Sequence, residues 1–178
     1  MRVIKSVVTT DTILTSSNIP EDEYPAWVSG TSYTALDKVI YKHKIYERIV
    51  TGTGTTTPDL DQINWLDDGY TNRYRMFDNI ISSVSSKMGG IEFTLTPNQV
   101  INGIALLNVN ASTVRVVMND PIEGVVYDRT KELRSSSNVI DYYSYFFAPL
   151  MDLGDIDSAI FLDLPNKPTA TITVYVSS

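Results

Sequence analysis

WVSGTSYTALDKVIYKHKIYERIVTGTGTTTPDLDQINW, from Trp27 to Trp65, holds both tryptophans of the chain and decides how the rest is read. Within it Val39 and Tyr41 alternate with Lys38, Ile40 and Lys42. Further on, Ile45, Glu47 and Ile49 alternate with Tyr46, Arg48 and Val50. A period of two is the pattern of half-buried strands, so the stretch reads as a hairpin that turns at His43-Lys44. Gly52 to Thr57 reads as a flexible Gly/Thr loop ending at Pro58, and Trp65 closes the segment. So short a stretch has little aliphatic material for a core. Its aromatic side chains, each burying about 150–250 Å², supply the missing apolar area.

The spacing of Trp27, Tyr33, Val39-Ile40-Tyr41, Tyr46, Pro58 and Trp65 resembles the small chitin-binding type of carbohydrate-binding module. One position departs from that family: Leu36 stands where a glycine usually precedes the aspartate of the second turn, here Asp37. The resemblance implies a compact three-stranded aromatic β module. It also implies a sugar-stacking platform made of Trp27, Tyr33, Tyr46 and Trp65.

Composition sets the outer bounds. Hydrophobic residues make up 43% and charged residues 20%, which places the chain among globular proteins rather than disordered ones. Cysteine is absent, so disulfides, thiolate metal sites and a cysteine nucleophile are excluded. A net charge of −7 disfavours non-specific nucleic-acid binding. No stretch approaches the roughly 20 apolar residues of a membrane span. The opening MRVIKSVVTTDTIL lacks a signal-peptide apolar core and reads as a strand over Arg2–Thr9, followed by a polar, turn-rich stretch from Thr10 to Pro20. Abundant Tyr, Thr, Val and Ile, with no sustained 3.6-residue pattern, predict an all-β protein.

After Trp65 the chain reads strand by strand. Further strands are expected at Ile91–Leu95, Gly103–Val109, Thr113–Met118, Gly124–Tyr127, Val139–Phe147, Ala159–Leu164 and Thr169–Val176. The last alternates cleanly: Ala170, Ile172, Val174 and Val176 fall on one face. It is expected to pair with Arg2–Thr9 and close the fold. The predicted architecture is an antiparallel, jelly-roll-like β-sandwich with the aromatic module inserted. Its boundaries are residues 1–20 for the first strand and linker, 21–70 for the module and 71–178 for the sandwich.

A second resemblance covers nearly the whole chain, from Ser16 to Val176. SSNIPED, TNR followed by an aromatic and MFD, DYYSYFFAP, and DLP ahead of ATITV are similar to a family of tailed-bacteriophage tail or baseplate proteins. What that implies is a non-enzymatic structural subunit of the virion tail, made in the host cytoplasm. It would assemble with itself and with neighbouring tail proteins, without a cofactor, and a host glycan is a possible ligand.

Several constellations compete for chemical roles. Arg73 and Arg75 read as core-edge residues paired with acids, or as a latch that fixes the module on the sandwich through bidentate carboxylate bonds. Tyr142, Tyr143, Tyr145, Phe146 and Phe147 are aromatic on both strand parities. Tyr143, Tyr145 and Phe147 then mark either a doubly covered strand or a subunit contact. The run Glu21-Asp22-Glu23 reads as a solvated linker, with a docking edge for a basic partner as the sharper alternative. His43, the single histidine, reads as an exposed turn residue rather than a catalytic base. Asp152, Asp155 and Asp157 read as an acidic loop; closely spaced carboxylates around a glycine can bind a hard cation such as Ca²⁺, but their spacing does not match an EF-hand loop. Asp59, Asp61, Asp67 and Asp68 read as turn carboxylates rather than a glycosidase pair. No metal site is expected.

Overall fold

A computed structural model of the chain describes residues 7, 9–78, 80, 83–134, 142–147 and 157–177. Apart from one short helix and one 3₁₀ turn, its regular elements are strands in antiparallel sheets. They belong to two compact units, one made of Met1–Asn18 with Met88–Ser178, the other of Ile19–Lys87. In chain order the strands are β1 (Leu14–Ser17), then β2 (Thr31–Tyr33), β3 (Lys38–Tyr41), β4 (Lys44–Arg48), β5 (Gly52–Gly54) and β6 (Trp65–Tyr70) of the smaller unit. The larger unit resumes with β7 (Ile91–Leu95), β8 (Ile104–Leu107), β9 (Thr113–Asp120) and β10 (Gly124–Glu132). The helix α1 (Tyr142–Phe147), β11 (Ser158–Phe161) and β12 (Thr171–Ser177) complete it.

In the larger unit five strands form one sheet in the order β1-β7-β12-β9-β10, and β11 pairs with β8 in a second sheet. This is a sandwich-like antiparallel arrangement. Its core is built by cross-strand rows. Val174 faces Phe93 on one side and Val116 on the other; Ile172 likewise lies between Leu95 and Met118. Phe93, Val116, Met118, Ile172 and Val174 are all buried. Each such side chain contributes about 1.5–3 kcal/mol by leaving water. The β9–β10 hairpin is capped by Asp120, whose Oδ1 accepts the Ile122 and Glu123 amides and whose Oδ2 accepts the Thr169 hydroxyl. Those amide bonds hold its carboxyl below the usual value.

Two expectations change here. The last strand does form, but its neighbours are β7 and β9, so neither of its edges is open to Arg2–Thr9. Most of that segment lies outside the described residues. The first described strand is Leu14–Ser17, inside the stretch expected to be turns, and it pairs with β7. The second change is at Tyr142–Phe147, which is helical rather than extended. A run aromatic at every parity carries no period-two information. At helical spacing the same residues make two ring pairs, Tyr142–Phe146 at 5.0 Å and Tyr143–Phe147 at 4.8 Å between centroids.

In the smaller unit β3-β4-β6 form a three-stranded sheet and β2 pairs with β5, so the Gly52-Thr53-Gly54 stretch is a strand rather than a loop. The unit continues past residue 70, the boundary drawn from composition, as far as Lys87. The reason is local. Residues after β6 bond back to the module, the Thr71 amide to the His43 carbonyl and the Asn72 amide to Glu23, and the Asn72 side chain in turn holds the Ser86 backbone.

Two tests follow. Gly90 sits at φ +95°, and a Cβ there would lie 2.7 Å from the Val176 carbonyl oxygen; Gly89 at φ +83° has open space around it. Gly90→Ala is expected to lower the urea midpoint more than Gly89→Ala, whose cost of about 1–2 kcal/mol is the backbone's alone. Equal costs would show that strand β12 yields freely. The second test concerns Tyr127, buried and donating its hydroxyl to Asp163 Oδ1 at 2.6 Å. Burial first, then that bond, push its pKa up to about 12. The protonated form is the one the fold favours. Its contribution is therefore complete below the ordinary tyrosine value of about 10 and is lost as pH rises from there towards 12. Stability measured across that window should fall less steeply in Tyr127→Phe than in the unaltered chain.

Candidate functional site

The smaller unit holds the aromatic set that the sequence singled out, and its geometry begins with Trp65. The β4–β6 register sets Trp65 opposite Arg48, and β3–β4 sets Val39 opposite Tyr46. Tyr33, Val39, Tyr46 and Trp65 form one buried cluster, with Trp27 and Tyr41 packed against it. Trp65 is 2% exposed and Tyr33 meets it edge-on at 5.1 Å. The Tyr33 hydroxyl is also engaged, accepting the Val28 amide and donating to the Val28 carbonyl. Burial raises the pKa of the Tyr46 hydroxyl. Of the four residues expected to form a sugar platform, three are buried and Trp27 is half-buried, its ring edge-on to Tyr41 at 5.5 Å.

Ring faces in this unit are taken up by the chain's own cations. Lys38 lies over Tyr24, Lys42 over Tyr41 and Lys44 over Tyr70, and the buried Arg48 guanidinium lies 4.9 Å over Trp65. Each of the three lysines also holds a carboxylate: Lys38 with Asp68, Lys42 with Asp59, Lys44 with Asp67. These bonds raise the three lysine pKa values and lower that of Asp59. Asp61, the remaining carboxylate near Trp65, accepts from the Asn64 side chain. Arg48 is the residue whose importance the sequence signalled least; its shared parity with Tyr46 was the one available sign.

The second cluster is polar. Glu21, part of the run read as a solvated linker, has a side chain only 14% exposed. Its carboxylate accepts from His43 Nδ1 at 2.8 and 3.0 Å and from the Thr71 hydroxyl at 2.7 Å, with Arg73 at 3.8 Å. Carboxylate oxygens only accept, so Nδ1 carries the hydrogen. Glu23 accepts the Asn72 amide, and Arg73 Nε donates to the Ile19 carbonyl. Arg75 Nε donates to the Tyr70 carbonyl. Arg73 and Arg75 thus make their bonds within the smaller unit.

His43 is therefore not a loose turn residue. The turn comes one residue earlier than the alternation indicated, at Lys42-His43, and both residues have positive φ, 49° and 62°. A two-residue hairpin of this hand favours Asn-Gly, so Lys-His carries backbone strain. The strain is offset by side chains: Lys42 holds Asp59, and His43 holds Glu21 while its ring stacks on Tyr74 at 4.0 Å. Leu36 at φ 74° is a third non-glycine in this region of backbone space, at the position where the resembling family has glycine.

A cleft of about 360 Å³ lies between the two clusters, lined by Glu21, Tyr24, Ala26, Trp27, Ile40, Tyr41, Lys42 and His43. Among the described residues no group of three or more His, Cys, Asp or Glu is placed to hold a metal ion. Asp152 and Asp155 lie outside the described residues, as does the Tyr145 side chain. In the larger unit Tyr143 and Phe147 of α1 are 72% and 70% exposed. Comparisons of the chain with protein-family models, with characterised proteins and with solved structures return no match.

Two substitutions separate the clusters. Trp65→Ala, which empties the aromatic core, is expected to cost about 3–5 kcal/mol. Glu21→Gln, which keeps the shape but removes the charge, should cost about 1–3 kcal/mol. Chemical denaturation of the full chain measures both. A negligible loss in Glu21→Gln would mean that the polar cluster does not hold the unit closed.

Proposed function

We propose that this chain is a structural component of a bacteriophage tail or baseplate, resident in the virion and assembling with copies of itself and with neighbouring tail proteins. The observation that carries the reading is where the residues of the phage-like pattern spend their chemistry. Glu21, Thr71, Asn72 and Arg73 are committed to closing the smaller unit, while Tyr33, Tyr46 and Trp65, the aromatic residues of the chitin-binding-type pattern, fill it. Residues used in this way serve architecture, and none of them is left over to act on a substrate.

A second reading, carbohydrate binding, is favoured by one feature, the cleft beside Trp27. Tyr24 is 38% exposed there, Trp27 and Tyr41 are half-buried, and Glu21, Lys42 and His43 bring polar groups to the same space. The internal cations over Tyr24 and Tyr41 limit the ring surface left for a sugar.

Two measurements decide between these readings. Quantitative mass spectrometry of purified particles is expected to find the chain in several copies per virion; its absence, or a single copy, would end the structural proposal. Calorimetry with chitin fragments and bacterial surface polysaccharides is expected to give millimolar affinity at best, about −4 kcal/mol. A micromolar dissociation constant lost in Trp27→Ala would put carbohydrate binding first.

A further inference from the structure

Two places in the chain set an asparagine or aspartate directly before a glycine, Asn102-Gly103 and Asp68-Gly69. In such a pair the backbone nitrogen of the second residue can attack the side-chain carbonyl carbon of the first, and glycine, having no Cβ, leaves that nitrogen unshielded. The structure treats the two pairs differently. At Asp68-Gly69, inside strand β6, both reacting groups are engaged. The Gly69 amide donates to Asp67 Oδ1 at 2.9 Å, and Asp68 Oδ2 accepts from Lys38 at 2.5 Å. A carboxylate is in addition a poorer electrophile than a carboxamide. At Asn102-Gly103 neither group is held. Asn102 is exposed, and the β8–β11 ladder begins only at Ile104, opposite Phe161. The Asn102 carboxamide and the Gly103 amide nitrogen have no hydrogen-bond partner among the described residues. Packing requires the glycine: a Cβ at 103 would lie 2.9 Å from the Phe161 carbonyl oxygen and 3.0 Å from the Leu162 side chain. The close approach of β11 therefore fixes an unshielded nitrogen behind Asn102.

We propose that Asn102 is a site of spontaneous covalent modification, deamidating in the folded chain through its own neighbour, Gly103. The Gly103 nitrogen bonds to Asn102 Cγ and loses its proton. The Cγ–Nδ2 bond breaks, and the side-chain nitrogen leaves as ammonia. What remains is a five-membered succinimide ring, which water opens on one of two sides. Cleavage at Cγ gives aspartate in an unaltered backbone. Cleavage at the main-chain carbonyl carbon gives isoaspartate, whose backbone runs through the side chain. Water is the one co-reactant, and nothing is oxidised or reduced. The rate rises with pH, because the attacking nitrogen must give up a proton. Either product adds one negative charge to a chain that already carries −7. Isoaspartate also lengthens the backbone just ahead of the Ile104–Phe161 pair, in which Phe161 is buried. Neither assembly nor sugar binding is needed for this chemistry.

Incubation of the full-length chain at mildly alkaline pH and physiological temperature tests this. Isoelectric focusing should show a more acidic form accumulating with time, faster as the pH is raised. Peptide mapping by mass spectrometry should place the exchange of NH for O at residue 102, with electron-transfer fragmentation separating aspartate from isoaspartate. In heavy-oxygen water the product should take up one labelled oxygen, the mark of a hydrolysed ring. The rate in the folded chain is expected to lie within roughly tenfold of that in a free peptide of residues 98–107, a difference of about 1.4 kcal/mol in the barrier. Asn102→Gln, at an exposed position, keeps the fold by circular dichroism and should lose the acidic form, because its ring would need six members. Conversion at Asn102 slower than the peptide by more than that margin overturns the proposal. So does an acidic form that persists in Asn102→Gln or maps first to another asparagine. Isoaspartate appearing at Asp68 as fast as at Asn102 would overturn it too, since the bonds that distinguish the two pairs would then decide nothing.

Discussion

The structure depends on a closure constraint. Ser17 and Phe93 are partners in one antiparallel ladder, and Asn18 exchanges hydrogen bonds with Glu92, so the chain leaving β1 must come back to the same place to start β7. Everything between, Ile19–Lys87, is a folded loop in the topological sense. A loop of that length can be closed at modest entropic cost, because the cost grows only with the logarithm of length. The smaller unit meets the constraint with its own chemistry. Glu21 and Glu23 near its beginning are bonded to Thr71 and Asn72 near its end. The polar cluster around Glu21 thus gathers the unit's own first and last segments, whatever else it does.

The aromatic core solves a different problem, that of size. A unit of a few short strands buries a small fraction of its surface. Here large rings replace a thick aliphatic interior, and cations replace a second layer over them. Lysine and arginine suit this position because their stems are apolar and their heads are attracted to the ring face. Surface ion pairs are individually worth little, about 0–1 kcal/mol, so the carboxylates that hold these lysines contribute position more than energy. Arg48 is the exception, as a buried guanidinium between an indole and the Val50 carbonyl.

Much of this was legible in the sequence. The all-β class, the alternation of the last strand, the hairpin before residue 50 and the burial of Trp65 each rest on short-range pattern. Ile172 and Val174 fall in the core because period two leaves them no other face. What the sequence hid is non-local or ambiguous. Glu21 and Thr71 are 50 residues apart, and nothing in an acidic run tells which carboxylate will be buried. Tyr142–Phe147 offers aromatic rings at both strand and helix spacing, so periodicity cannot arbitrate. For the sugar platform, the same residues fit a binding surface and a core. Only the burial of Tyr33, Tyr46 and Trp65 separates the two.

The strained turn at Lys42-His43 has a consequence for how such a sequence can drift over evolutionary time. A hairpin with Asn-Gly at its tip would be self-sufficient, and its neighbours would vary independently. With two positive-φ residues held in place by Asp59, Glu21 and Tyr74, each position is tolerable only in the company of the others. Replacing Glu21 first removes what compensates His43; replacing His43 first strands Glu21 beside Thr71 and Arg73. Positions 21, 42, 43, 59 and 74 should therefore be inherited as a block in descendants of this chain, with a glycine at the turn as the substitution that sets the block free.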